Sequence, residues 1–271
     1  MENKLRENIL QKIDLYQGDC FDIFNKFTDE SVDCIICDLP YGQIAQGWDK
    51  KLHLNTLWEQ YNRILKENGY IILFASGQFT FELFNSNSKQ FKYKLIWKKN
   101  VPSGMNSASY RPMKYYEEIM VFIKGQTHKC TYNPIMKPRE NNMMYVYERY
   151  THSCSSNNHI PNELKKLDKK YDPKLVQPSD VLDFKVVSNR QKIHPTEKPV
   201  ELLEWLIKTY SNEGDIILDN CMGAGSCGLA CIHNNRNFIG IELDNKYFDI
   251  AVDRIRKEID NEEREICLSI Y

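Results

Sequence analysis

Short runs of apolar and β-branched residues alternate along the 271-residue chain with segments of helical periodicity. This is the alternation that βαβ units produce when a mostly parallel sheet is wound with helices. The spacing predicts strands over residues 13–16, 32–37, 70–75, 94–97, 119–124, 216–219 and 237–242. Helices are predicted over 21–27, 54–66, 79–85, 200–210, 226–234 and 246–257. The helix over 54–66 runs into Glu67-Asn68-Gly69, read as a glycine stop before the next strand. The expectation is an α/β fold: a seven-stranded, mostly parallel sheet with helices on both faces.

The pattern breaks over residues 125–190, a stretch rich in Asn, Ser, Lys, Tyr and Pro with little periodicity. A loop of that length inside a compact domain carries function or is disordered. The expected organisation is therefore a domain in two halves, 1–124 and 191–271, separated by an insertion at 125–190. No internal repeat is visible.

Composition narrows the picture little: 42% hydrophobic and 27% charged residues are ordinary for a globular protein. Charge distribution changes it more. Between residues 89 and 139 eleven basic residues face only Glu117 and Glu118, a net +9 that leaves about −10 for the rest of a chain of net charge −1. A basic face on an acidic body suits a polyanion docking on one side, and equally a solvated lysine-rich surface.

The nine cysteines show no small-domain framework, and reduced thiols in a cytoplasmic protein are expected. Cys34 and Cys37 form C-x-x-C, but on a strand positions three apart point to opposite faces, so the pair is not expected to hold one metal. The polar start MENKLRENIL has no signal-peptide core, and no apolar run approaches the ~20 residues that span a bilayer. Neither metal nor membrane is expected as a partner.

Three constellations carry candidate chemistry. The first is Asp38-Leu39-Pro40-Tyr41, where a buried strand gives way to a loop. In open α/β sheets ligands bind beyond the carboxyl ends of the strands. An aromatic amine is a poor nucleophile because its lone pair is delocalised into the ring. Acceptors aimed at its N–H groups draw the lone pair back and stabilise the positive charge that develops on alkylation. The Asp38 carboxylate and the Leu39 carbonyl meet that need, Pro40 stiffens the turn, and Tyr41 offers a face on which a base can stack. Extracting a base from a duplex costs a few kcal/mol, and stacking returns roughly 1–3 kcal/mol. Any single string of four residues also fits an ordinary turn with a core-edge tyrosine.

The second constellation, ILDNCMGAGSCG at 217–228, reads as strand, glycine loop and helix start. Glycines let backbone approach a nucleotide-like ligand closely. Glu242 ends the following strand, suited to accept hydrogen bonds from ribose hydroxyls. Gly223, Gly225 and Gly228 also satisfy G-x-G-x-x-G, so a nicotinamide-dependent oxidoreductase competes at this point. The third is His194-Pro195-Thr196-Glu197-Lys198-Pro199, leading into an amphipathic helix. Thr196 and Lys198 are placed to reach a carboxylate such as the methionyl end of a cofactor, or simply to cap the helix.

Together the three resemble the β-class amino-methyltransferases of DNA, in which the catalytic motif precedes the cofactor motif. DLPYGQ with the following GWD resembles that family's D-P-P-Y motif and loop, HPTEKPVELLEWLI its H-P-T-x-K-P helix, and LDNCMGAGSCG its D-P-F-x-G-x-G-T loop. GDCFDIF resembles its acidic contact to the cofactor adenine, carried here by Asp19. The chain departs from the family at Leu39 for the first proline, at Asn220-Cys221-Met222 for Pro-Phe-x, at Ser226-Cys227 for threonines, and at Tyr116, where relatives often have histidine.

The resemblance implies a Rossmann-like fold, S-adenosylmethionine as cofactor, and direct methyl transfer to the N6 amine of adenine in flipped-out duplex DNA. The N4 amine of cytosine is the alternative; Asp38 leans toward adenine. No Pro-Cys dipeptide is present, which argues against a cysteine-nucleophile route to cytosine carbon. The implied cofactor residues are Asp19, Cys20, Asp38, His194, Thr196, Lys198, Asp219, Gly223, Gly225, Glu242 and Leu243. Trp48 is expected to bracket the base with Tyr41, and Lys98, Arg111, Lys114, Lys137 and Arg139 to contact DNA. The recognition sequence, a partner nuclease and a homodimer are left open.

Overall fold

The apolar runs become strands covered on both sides, and period-two alternation sorts their side chains between two cores. The computed structural model describes residues 10–42, 50–139, 174–188, 192–194, 196–262 and 265–271. In chain order its strands are β1 (Gln11–Gln17), β2 (Val32–Cys37), β3 (Leu65–Ala75), β4 (Phe91–Ser103), β5 (Lys114–Ile123), β6 (Lys137–Pro138), β7 (Leu175–Val176), β8 (Val181–Asp183), β9 (Ile216–Asp219), β10 (Asn237–Glu242) and β11 (Ile266–Ile270). The helices are α1 (Cys20–Phe24), α2 (Leu54–Ile64), α3 (Gln78–Ser86), α4 (Val200–Tyr210), α5 (Ser226–His233) and α6 (Asn245–Asn261).

One sheet of nine strands runs in the order β11-β1-β10-β9-β2-β3-β5-β4-β8. The strands from β11 to β3 pair in parallel; β5 is antiparallel to both β3 and β4. On one face α1, α2 and α3 cover Ile35, Cys37, Ile71, Leu73 and Ala75 in a core that includes Phe24, Trp58 and Tyr61. The alternate residues Cys34, Ile36, Ile72 and Phe74 are buried on the other side. There Tyr210 of α4 packs on Tyr70, and α5 and α6 close over Phe238.

All seven predicted strands and six predicted helices are found, but the sheet has nine strands, not seven. The two missed strands are at its edges. β8 is three residues long and pairs in parallel with β4, and β11 pairs in parallel with β1. Neither shows clean alternation, because edge strands meet the core on only part of their length. The glycine stop is also corrected. The α2 helix ends at Ile64 with Leu65 already extended, and Asn68, not Gly69, takes the left-handed conformation (φ 65°). Gly69 is needed for space instead: a Cβ there would lie 2.8 Å from the Asp33 carbonyl oxygen.

Packing divides the chain into two units, Met1–Asn133 with Asp180–Tyr271, and Pro134–Ser179. The margins of the expected insertion, 125–133 and 180–188, thus belong with the sheet. Within the second unit β6 and β7 form a two-stranded antiparallel ladder. Among the described residues no helix is long and apolar enough to cross a membrane.

Candidate active site

At the carboxyl ends of the parallel strands the chain leaves β2 toward β3 and leaves β9 toward β10, in opposite directions across the sheet. Loops that diverge in this way open a crevice. A cavity of about 950 Å³ lies there, lined by the tips of β1, β2, β9 and β10 and by the segment entering α4. Asp38, Leu39 and Pro40 share that lining with Asp19, Cys20, His194, Thr196, Lys198, Asp219, Gly223, Glu242 and Leu243. Residues as far apart in the sequence as Asp19 and Leu243 thus meet in one space, as the three motifs required.

The two central carboxylates stand at the tips of adjacent strands. Asp38 follows β2; its Oδ1 accepts the Tyr41 hydroxyl at 2.9 Å and its Oδ2 accepts Lys198 Nζ. Burial raises its carboxyl above the usual range, the Lys198 ammonium pulls it back, and Glu117 pushes it up again. Asp219 ends β9 and is 7% exposed. Its Oδ1 accepts the Cys221 amide at 3.1 Å. Burial pushes it up to about 7; hydrogen bonds from Cys221 and Cys37 oppose this, and Asp38 and Glu242 reinforce it.

The cofactor side of the cavity is built by backbone. Glu242 accepts the Gly223 amide at 2.8 Å and the Asp244 amide at 2.9 Å, which fixes its carboxylate at the strand tip. Asp19 caps α1 by accepting the Phe21 amide at 2.8 Å. His194 packs edge-on to Tyr247 and accepts or donates to the Thr196 hydroxyl at 3.1 Å. Burial, with help from Lys198, lowers its pKa to about 4, so it is neutral at physiological pH. Leu243 is exposed, and its carbonyl accepts the Gln17 side-chain amide at 3.2 Å.

The glycines divide differently from expectation. Gly223 (φ 53°) faces His194 in the cavity, but Gly225 (φ 79°) is absent from its lining. A Cβ at Gly225 would sit 3.1 Å from Ala251, and one at Gly228 would meet Ile255 at 2.7 Å. Both glycines therefore let α6 pack closely behind the loop that carries Gly223. Tyr41 is also more committed than expected: its ring stacks on Phe79 at 4.8 Å and its hydroxyl serves Asp38. Leu39 is 2% exposed, its side chain taken into the core, which shows why an apolar residue other than proline fits there.

The expected DNA contacts are dispersed. Lys98 pairs with Asp183 at 3.0 Å, and Lys114 donates to Ser76 at 2.7 Å with its ammonium 4.9 Å from the Tyr116 ring. Arg111 is exposed beside Tyr110 on the segment joining β4 and β5. Lys137 and Arg139 are in the second unit, Arg139 donating to the Leu175 carbonyl at 3.2 Å. Trp48 lies outside the described residues. The net +9 is not one free face, because Lys94, Lys98, Lys99 and Lys124 are each ion-paired.

Three residues were missed. Glu197 of the HPTEKP segment accepts Ser226 at 3.1 Å and pairs with Arg254 at 2.9 Å, locking that segment to α5 and α6. Glu117 and Lys99 form an ion pair of 3.0 Å behind Lys198. The available signal was two acids in the otherwise apolar strand YYEEIMVFI, which period two sends to opposite faces: Glu118 to Lys94 and Thr80, Glu117 to Lys99 and Lys198.

A strand-tip carboxylate facing a glycine-loop crevice defines a nucleotide-cofactor α/β enzyme, and comparison with known proteins makes the class specific. The family model of the DNA methylases, the N6/N4 methyltransferases, matches residues 32–253, and the chain belongs to that family. That membership removes the nicotinamide alternative. The chain is 28% identical to the type II methyltransferase M.HpaI of Haemophilus parainfluenzae, over 85% of this chain and 70% of that one. It is 27% identical to the DNA adenine methyltransferase YhdJ of Escherichia coli K12, over 89% and 82% of the two chains. Among solved structures, the M1.HpyAVI–SAM complex matches with a TM-score of 0.62 and 26% identity, over 90% of this chain and 98% of the other.

Proposed function

We propose that this methylase transfers the methyl group of S-adenosylmethionine to the N6 amine of adenine in duplex DNA, with the base turned out of the helix. The observation that carries the reading is that Asp38 lines the same cavity as Asp219, Gly223 and Glu242. The cavity suits the cofactor chemically. Asp19 and Glu242 are acceptors for its polar nucleoside groups, and the mutual repulsion of Asp219, Asp38 and Glu242 is relieved by a bound cation. The relatives named for adenine methylation and for a SAM complex support the same assignment.

When bound, S-adenosylmethionine supplies an electrophilic methyl group on a sulfonium. Asp38 and the Leu39 carbonyl accept hydrogen bonds from the target amine, which restores its lone pair and stabilises the charge that develops on nitrogen. Burial makes Asp38 a stronger proton acceptor than a carboxylate in water. Tyr41, held by Phe79, fixes the Asp38 oxygen that it touches. Holding donor and acceptor in line supplies the rest of the acceleration. Trp48 is assigned to the flipped base, and Lys98, Arg111, Lys114, Lys137 and Arg139 to phosphates. Of the expected insertion at 125–190, the part that forms the second unit, Pro134–Ser179, is assigned to sequence recognition, and the enzyme to the cytoplasm.

Incubating the chain with labelled S-adenosylmethionine and unmethylated genomic DNA, then weighing the nucleosides, tests the assignment. N6-methyldeoxyadenosine is the expected product; N4-methyldeoxycytidine would move the target to cytosine, and no labelled nucleoside would end the enzymatic reading.

A further inference from the structure

Four charged side chains run from the site into the protein in alternating sign: Asp38, Lys198, Glu117 and Lys99. We propose that Glu117 is a positioning residue for methyl transfer, a second seat for the Lys198 ammonium that frees Asp38 when the target amine arrives. The inference rests on the catalytic reading of Asp38 given above and deepens it.

Lys198 is 8% exposed and lies against the Phe74 ring at 4.9 Å. The carboxylates within its reach among the described residues are Asp38, through Oδ2, and Glu117, through Oε2 at 3.4 Å. Tyr41 already occupies the other Asp38 oxygen. With Lys198 and Tyr41 both in place, each Asp38 oxygen already holds a donor, and an incoming amine must share one of them. Glu117 offers the release. Its Oε1 is held by Lys99 at 3.0 Å, whereas its buried Oε2 receives no well-formed hydrogen bond. A buried acceptor left short in this way is costly and draws a donor toward it. A small shift of Lys198 onto Oε2 satisfies Glu117 and exposes Asp38 Oδ2 to the amine. Lys99, 6% exposed, keeps Glu117 charged and in place for the exchange.

Charge balance gives the same result. The quartet contains two cations and two anions; without Glu117 it would present a net positive charge beside a nitrogen that becomes positive in the transition state. Glutamine has the same shape as glutamate, so the change Glu117→Gln removes charge and little packing.

The test uses the full chain with Glu117→Gln and Glu117→Asp. It measures single-turnover transfer to unmethylated genomic DNA, S-adenosylmethionine affinity by calorimetry, and the pH profile of the rate. Glu117→Gln is expected to slow transfer about 30-fold or more with the cofactor Kd within about threefold, and Glu117→Asp to stay within about fivefold of wild type. The acid limb of Glu117→Gln should move to lower pH. Asp38 loses an anionic neighbour and keeps Lys198, while Tyr41 and Asp219, which also face it, are unchanged. Wild-type speed in Glu117→Gln, an unmoved acid limb, or an equal loss in Glu117→Asp overturns the inference. If Glu117→Gln does not fold, Glu117→Asp decides, and a loss above about fivefold overturns it. A wild-type chain without transfer overturns the catalytic reading itself, and this inference with it; an active wild type beside an equally active Glu117→Gln overturns this inference alone.

Discussion

Asp38, directly after β2, and Asp219, at the end of β9, stand at the tips of neighbouring parallel strands and open into one cavity, Asp38 half-buried and Asp219 buried, yet they meet different electrostatic surroundings. Asp38 has a cation, Lys198, and a hydroxyl, Tyr41. Asp219 has an amide, a thiol and two anionic neighbours, and its carboxyl is pushed up to about 7. The protein sets a cation of its own against one carboxyl, whereas the other is opposed only by hydrogen bonds and suits a positive charge brought from outside. Equivalent positions in a sheet can therefore be given different chemical tasks by partners supplied from distant parts of the chain.

The largest test of that contrast is Asp38→Ala, expected to slow methyl transfer by about 10²–10³ or more while leaving S-adenosylmethionine affinity nearly unchanged in calorimetry. A variant that transfers at wild-type rate would remove Asp38 from the chemistry. Next is Lys198→Met, for which single-turnover rates should fall roughly 100-fold and the acid limb should move to higher pH. The sign follows from the pair: without the ammonium, burial and Glu117 act on Asp38 against the Tyr41 hydroxyl alone, and its carboxyl rises further. Glu117→Gln and Lys198→Met thus shift the limb in opposite directions.

Asp219 gives the converse. Its folded pKa lies above that of the unfolded chain, so its favourable contribution is complete at low pH and is lost as pH rises toward about 7. Asp219→Asn should then stabilise the ligand-free protein at about pH 8 by about 2 kcal/mol and by little near pH 4, read from melting curves. The same change should weaken cofactor binding about tenfold, because the bound cation loses its counter-charge. Gly225→Ala tests the loop that follows Asp219: the positive φ and the approach of Ala251 predict a loss of about 1–2 kcal/mol in stability. Smallest is Arg111→Ala, expected to lower the slope of log affinity for DNA against log salt by about 1 if this exposed residue meets a phosphate.

Both carboxylates were visible in the sequence as aspartates closing apolar runs, and the order of the motifs gave the crevice. What separates the two aspartates was not visible. Lys198 sits 160 positions from Asp38, and nothing local in HPTEKP says that its ammonium turns toward a strand tip. Glu117 and Lys99 read as members of a basic, solvent-facing run, whereas sheet pairing between β4 and β5 turns them inward. The glycine loop shows the same limit: G-x-G-x-x-G is legible as spacing, but only the position of α6 reveals that Gly225 and Gly228 make room for a helix. Strands with two buried faces announce themselves through composition; edge strands such as β8 and β11 do not.

The short strand β8 has a consequence for how the second unit is attached. The chain leaves the sheet domain after Asn133, whose amide is tied to the Thr209 carbonyl at 2.8 Å, and re-enters at Asp180, whose carbonyl accepts the Ile96 amide at 2.8 Å. Both points of attachment are clamped by main-chain bonds, one to the end of α4 and one to β4. The second unit therefore joins the first at two fixed points of main chain, so that a change of length between them need not shift the register of β4 or the end of α4.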